Sequence, residues 1–188
     1  GFYGMNKGVL EAWHSNVANP LGDSYIMQRL KDLPSGTYVF GAYAAAARQY
    51  NSKDICERET VNGEEKHVLV DGVHQYEYWS NRDSINGVVL FANDATVPVS
   101  ANNPDLGHKF QWAHSSKFNV AVTLSDTDEN KGYMDLGLRV SGTNANYVVW
   151  DNATLYYFGN MSEADALDAM AKIDVENVIA IADTLKDE

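Results

Sequence analysis

The 188 residues suit one domain with a substantial core, and an apolar content of 45% argues against wholesale disorder. Asp and Glu number 26 against 14 Lys and Arg, a formal charge of −12 that repels phosphate backbones and anionic lipid, so nucleic acid and membrane surfaces are disfavoured as partners. The one cysteine, Cys56, allows no internal disulfide, and the eleven Tyr and four Trp favour half-buried sheet or a surface for a polar ligand over a plain helical domain.

In chain order, Trp13 and His14 precede the first clear strand, Ser24–Leu30. Leu33-Pro-Ser-Gly36 then reads as a turn, with Pro34 fixing φ and Gly36 open to positive φ. Thr37–Ala47 follows as the strongest strand, with Tyr38, Phe40 and Ala42 on one face and small residues that let an opposing sheet approach. The charged stretch Asn51–Lys66 is expected to be a long connection. Further strands are expected at His67–Asp71, Val88–Asn93, Thr96–Ser100, Lys117–Leu124, Tyr133–Val140 and Tyr147–Phe158, separated by loops such as Asn81–Asn86 and Ala101–Gly107. In Lys117–Leu124, Phe118, Val120, Val122 and Leu124 make a dry face, and Asn119, Ala121 and Thr123 a wet one. The acidic turn Asp126–Gly132 is expected to close a hairpin onto the next strand.

From Ser162 the periodicity becomes helical. Ser162 is a fitting N-cap with Asp165 three residues on, and Glu163 and Asp165 suit the positive end of the helix dipole. Leu167, Ala171, Val175, Val178, Ala182 and Leu185 form a stripe that must cover something: the sheets, a second copy, or the rest of a longer protein. The expected organisation is a β-domain over 1–160 and an amphipathic helix over 161–188.

Several segments form an ordered set of motifs: Tyr25-Ile-Met-Gln-Arg-Leu30 with Leu33-Pro-Ser-Gly-Thr-Tyr38, then Val88-Val-Leu-Phe-Ala-Asn93, Phe118-Asn-Val-Ala-Val122 and Met134-Asp-Leu-Gly-Leu138. Ala145-Asn-Tyr-Val-Val-Trp-Asp-Asn152 and Leu155-Tyr-Tyr-Phe-Gly159 complete the set. Together they resemble the galactose-binding-domain-like modules of exported Bacteroidetes proteins. The family's Asn-Trp pair before the last strand stands here as Asn146-Tyr147. The resemblance implies an all-β, antiparallel jelly-roll β-sandwich in an exported, periplasmic or cell-surface setting, often attached to glycan-degrading or glycan-binding proteins. The opening on Gly1 fits a domain excised from such a protein.

A sugar site needs flat apolar surface for the ring's C–H face and polar groups in its plane. Gln75–Asp83 holds both, with Trp79, Tyr76 and Tyr78 as a platform and Arg82 beside them; the competing reading is that these aromatics are core. Trp112, in Phe110-Gln-Trp-Ala-His114, and Arg48, at the end of the alanine-rich strand, are further ligand candidates, whereas Trp150 is expected in the core. Structural calcium is a candidate cofactor at Asp151, where a carboxylate bonding backbone amides at a strand bend is an equal reading. The loop Asp126–Asn130 lacks EF-hand spacing and reads as a solvated turn.

Five histidines form no His-x-His or His-Glu-x-x-His pair, and there is no Gly-x-Ser-x-Gly elbow or phosphate loop, so the chain is read as non-catalytic. Three readings follow. The first is a module binding a neutral glycan within a larger protein. The second is a module that docks or spaces neighbouring domains. The third, against the non-catalytic reading, is a glycoside-active enzyme in which Glu77 pairs with a distant carboxylate.

Overall fold

Alternating apolar residues do become strands, and the register between them decides which side chains meet. The computed structural model describes residues 5–6, 9–14, 19–49, 56–61, 64–69, 79–80, 85–99, 116–127, 129 and 131–184. Among these, the strands are β1 (Met5–Asn6), β2 (Val9–Trp13), β3 (Ser24–Leu30), β4 (Gly36–Gln49), β5 (Cys56–Val61), β6 (Glu64–Leu69), β7 (Trp79–Ser80), β8 (Val88–Ala92), β9 (Ala95–Pro98), β10 (Ser116–Leu124), β11 (Met134–Val140) and β12 (Tyr147–Tyr157). One helix, α1 (Glu163–Thr184), follows.

The larger, six-stranded sheet has the order β1-β2-β12-β4-β10, with β7 paired to the end of β4. The smaller, four-stranded sheet has the order β3-β11-β8-β9. All pairings are antiparallel. Tyr38, Phe40, Ala42, Val120, Val122, Val148 and Trp150 of the first sheet meet Leu90, Met134, Leu136, Leu138 and Val140 of the second in one core. The molecule is thus an all-β sandwich with a C-terminal helix. Burial of each large core side chain is worth about 1.5–3 kcal/mol. Trp150 is in this core, as its place in a long apolar strand suggested.

Strands β3, β4 and β8 to β12 match the sequence expectation within a few residues. The turn before β4 is fixed by its own aromatics: the Tyr38 hydroxyl donates to the Pro34 carbonyl and the Tyr157 hydroxyl to Ser35, both at 2.8 Å, and Gly36 has φ 137°. Burial, with Tyr157 close by, pushes the Tyr38 hydroxyl pKa up.

Four expectations need correction. Asn51–Lys66 is not wholly a connection, because Cys56–Val61 and Glu64–Leu69 pair as a ribbon that places Glu59 opposite Lys66. The turn after β10 does not close a hairpin. Strand β10 takes β4 as partner over its whole length while β11 pairs with β3 and β8, so the chain crosses from one sheet to the other. The wet face of β10 is only partly wet: Thr123 is exposed, but Ala121 is buried with Val39 under Ala166 and Met170 of α1. The helical stripe is also split, since Leu167 packs on the sheet but Ala171 is exposed and Val175 is 58% exposed. The docked stripe is Ala166, Met170 and Ile173, one position round the helix.

The polar edge of this seam explains the choice. Asp174 of α1 accepts from Lys117 Nζ and Asn119 Nδ2, both at 2.9 Å, so the residue beside Ile173 finds partners on β10. Ser162 caps the helix as expected: its hydroxyl accepts the Asp165 amide and donates to the Asp165 carboxylate.

Candidate functional site

The sandwich has two outer faces, and α1 covers part of only one. On the other, the outer face of the four-stranded sheet, alternation on β3 turns Tyr25, Met27 and Arg29 outward, and alternation on β11 turns out Asp135, Gly137 and Arg139. Register then sets Tyr25 opposite Arg139, Met27 opposite Gly137 and Arg29 opposite Asp135. On the far side of β11, Phe91 stands opposite Gly137.

Gly137 makes the surface concave. Having no side chain, it leaves a dip between Met27 and Phe91, and a Cβ there would run into the Ile26 carbonyl oxygen and the Met27 backbone. The dip is a groove of about 380 Å³ lined by Tyr25, Met27, Phe91, Asn93, Asp135 and Arg139. It continues into a further 200 Å³ bounded by Arg29, Glu129 and Tyr133. The resulting trough follows β11 for roughly 20 Å, at about 3.4 Å per residue from Tyr133 to Arg139.

Its apolar surface is unusually bare. Tyr25 is 65% exposed, Met27 42% and Tyr133 46%. Its polar groups are pre-set. Arg29 Nε and Nη2 donate to the two oxygens of Asp135 at 2.6 and 2.5 Å, a bidentate pair. These bonds hold the Asp135 carboxyl below the usual carboxylate range and raise the Arg29 pKa. Both groups keep donors and lone pairs free for a ligand. Asn93 pins the β8–β9 turn to β11: its side chain accepts the Asp135 amide at 2.9 Å, and its own amide donates to the Asp135 carbonyl at 2.7 Å. Its φ of 50° suits an Asn at such a turn. The Arg139 guanidinium sits over the Phe91 ring, 5.6 Å from the centroid. A polar molecule with one apolar face fits such a surface.

The described residues that line this trough include none of the candidates named from sequence. Tyr76, Tyr78, Arg82 and Trp112 lie outside the described residues. Trp79 and Arg48 come to adjoining register positions, because β7 pairs with the end of β4: Gln49 with Trp79 and Arg48 with Ser80. Asp151 is exposed at an irregularity in β12, where the register shifts before Thr154 and Asn152 takes φ 51°. Its Oδ1 accepts the Asn152 amide at 2.7 Å, which is the strand-bend arrangement. Among the described residues, no three or more His, Cys, Asp or Glu side chains gather to hold a metal ion.

Asn146, where the resemblance placed a family motif, is fully buried and structural. Its side chain donates to the His14 carbonyl at 2.9 Å and its carbonyl accepts the His14 amide at 2.7 Å, tying β2 to the start of β12.

The trough residues carried a weak signal that went unread. Tyr25-x-Met27-x-Arg29 is an outward alternation too apolar for a plain solvent face. The pairing of Arg29 with Asp135 spans 106 residues and depends on register alone. Comparison with protein-family models, with curated proteins and with solved structures found no match to this chain.

Proposed function

We propose that this chain is a non-catalytic carbohydrate-binding module of a larger exported protein, and that it binds a mainly neutral glycan along the trough. One observation carries this: two exposed tyrosines and a methionine flank a pre-paired Arg29–Asp135 on an open, concave sheet face. Tyr25 and Tyr133 offer stacking surface to sugar C–H faces. Asp135 accepts from hydroxyls while Arg29 donates to a neighbouring oxygen. An open trough admits a chain end or an internal stretch alike.

The strand order supports the jelly-roll reading. Counting β2, β3, β4, β8, β9, β10, β11 and β12 as eight strands, the first pairs with the eighth, the second with the seventh, the third with the sixth and the fourth with the fifth. That is one long antiparallel ribbon rolled into two sheets. Trp79 with Tyr76, Tyr78 and Arg82 stays a second candidate platform, with Arg48 and Trp112, and calcium at Asp151 stays a proposal of the same rank.

The test is a glycan array with and without calcium, comparing the unaltered chain with Tyr133→Ala and Trp79→Ala. Loss of a hit in Tyr133→Ala, with a denaturation midpoint within about 0.5 kcal/mol of the parent, supports the trough. Loss only in Trp79→Ala moves the site to the β7 segment, and loss with chelator brings in Asp151. A blank array favours the second reading, a docking module. That reading draws on the exposed Val175 and Ile179 (58% and 54%) on the free side of α1.

A further inference from the structure

The two ends of the trough differ in charge. Asp135, Asp94 and Glu129 gather toward one end, where Arg29 is already taken up by Asp135. Arg139 stands at the other, four positions along β11 and so roughly 13 Å away. Among the described residues the ion pairs join Arg29 with Asp135, Lys117 with Asp174 and Lys131 with Asp126; Arg139 joins none. The carboxylate just ahead of β3, Asp23, is engaged elsewhere: it accepts the Gly142 amide at 2.9 Å and the Ser141 hydroxyl at 3.2 Å. Phe91 beneath the guanidinium holds it in place without using its in-plane donors, and Tyr25 stands opposite in register.

We infer that the glycan carries a carboxylate, as a uronic acid does, and that this group seats on Arg139 while neutral sugar units run toward Asp135 and Tyr133. The inference rests on the trough being the glycan site. A planar fork facing open trough matches a carboxylate through two parallel hydrogen bonds. The net charge of −12 limits how acidic the ligand is. A polymer charged on every unit is repelled by the Asp94–Asp135–Glu129 end, whereas a single carboxylate on a mainly neutral chain meets only Arg139.

The experiment uses an array of neutral oligosaccharides beside their uronic-acid counterparts, probed with the full chain, Arg139→Gln, Arg139→Lys and Tyr133→Ala. The expected result is a preference of about tenfold or more for a uronate-bearing glycan over its neutral counterpart. Arg139→Gln brings that ratio to about one and Arg139→Lys keeps part of it. Equal binding of both members, or a preference unchanged in Arg139→Gln, overturns the inference; if Tyr133→Ala still abolishes binding, the trough itself stands. Binding to neither member overturns both. Should Arg139→Gln unfold, the ratio measured in Arg139→Lys decides.

Discussion

The two outer faces of the sandwich receive opposite treatment, although both begin as the outward halves of alternating strands. On the larger sheet, Val39 and Ala121 lie under Ala166 and Met170 of α1, and the seam is closed by Asp174 with Lys117 and Asn119. On the smaller sheet, Tyr25, Met27 and Tyr133 stay in water beside charged groups already paired with each other. On the first face the small Val39 and Ala121 let the helix approach, with Tyr156 and Phe158 packed beside it. Large side chains around Gly137 make the second uneven, and suited to a smaller partner. The comparison teaches that exposure here follows from side-chain size and pairing, not from polarity alone.

Removing what covers the first face breaks the contrast most strongly. Met170 is fully buried, and Met170→Ala should cost about 2–5 kcal/mol, read as a lowered urea midpoint. A midpoint unchanged from the parent would mean that the Asp174 seam, and not the apolar contact, holds α1.

Filling the second face acts next. Gly137→Val places side-chain atoms against the Ile26 carbonyl and the Met27 backbone. Strands β3 and β11 must part, at about 1–3 kcal/mol, and the trough floor rises. Thermal unfolding should fall moderately while glycan binding is lost. Retained binding would place the ligand away from Gly137.

The sequence discloses these two faces unequally, for physical reasons. Period-two alternation located β3, β8, β10, β11 and β12, because a strand declares itself locally. It also placed Phe40, Val120 and Val122 on the inner side. It could not say which sheet each strand joins, so Asp126–Gly132 passed for a hairpin turn instead of a crossover. The polar ribbon of β5 and β6 lacked the apolar alternation that would have marked it. The helix was legible from its cap and period. Its docked side was not, because Ala166, Met170 and Ile173 and the neighbouring Leu167, Ala171 and Val175 are both apolar stripes. Lys117 and Asn119, distant in sequence, favour the first by partnering Asp174. The trough needed β3 beside β11 before Arg29 met Asp135, and β8 on the far side of β11 before Phe91 met Gly137. Trp79 and Tyr76 stand out in the sequence because aromatic and polar residues are neighbours there in the chain itself.

The smallest expected effect concerns acid. Asp135 is held below the usual carboxylate range, first by its hydrogen bonds from Arg29 and then by that residue's charge, with burial opposing. The folded protein therefore sheds this proton more readily than the unfolded chain. The pair's stabilising contribution is complete above the ordinary carboxylate value of about 3.9, and it drains away as pH falls beneath that value toward the folded one. Both side chains are partly in water, so the unfolding midpoint should move little. Ligand binding is the sharper readout, since protonated Asp135 loses an acceptor and releases Arg29 at the same step. Binding of a neutral glycan should hold level from neutral pH down through the ordinary carboxylate range and decline only below it. Asp135→Asn should bind a neutral glycan more weakly throughout and lose that acid limb. If the limb persists in Asp135→Asn with a neutral glycan, Asp135 does not carry it, and the ligand does not lie over the Arg29 pair.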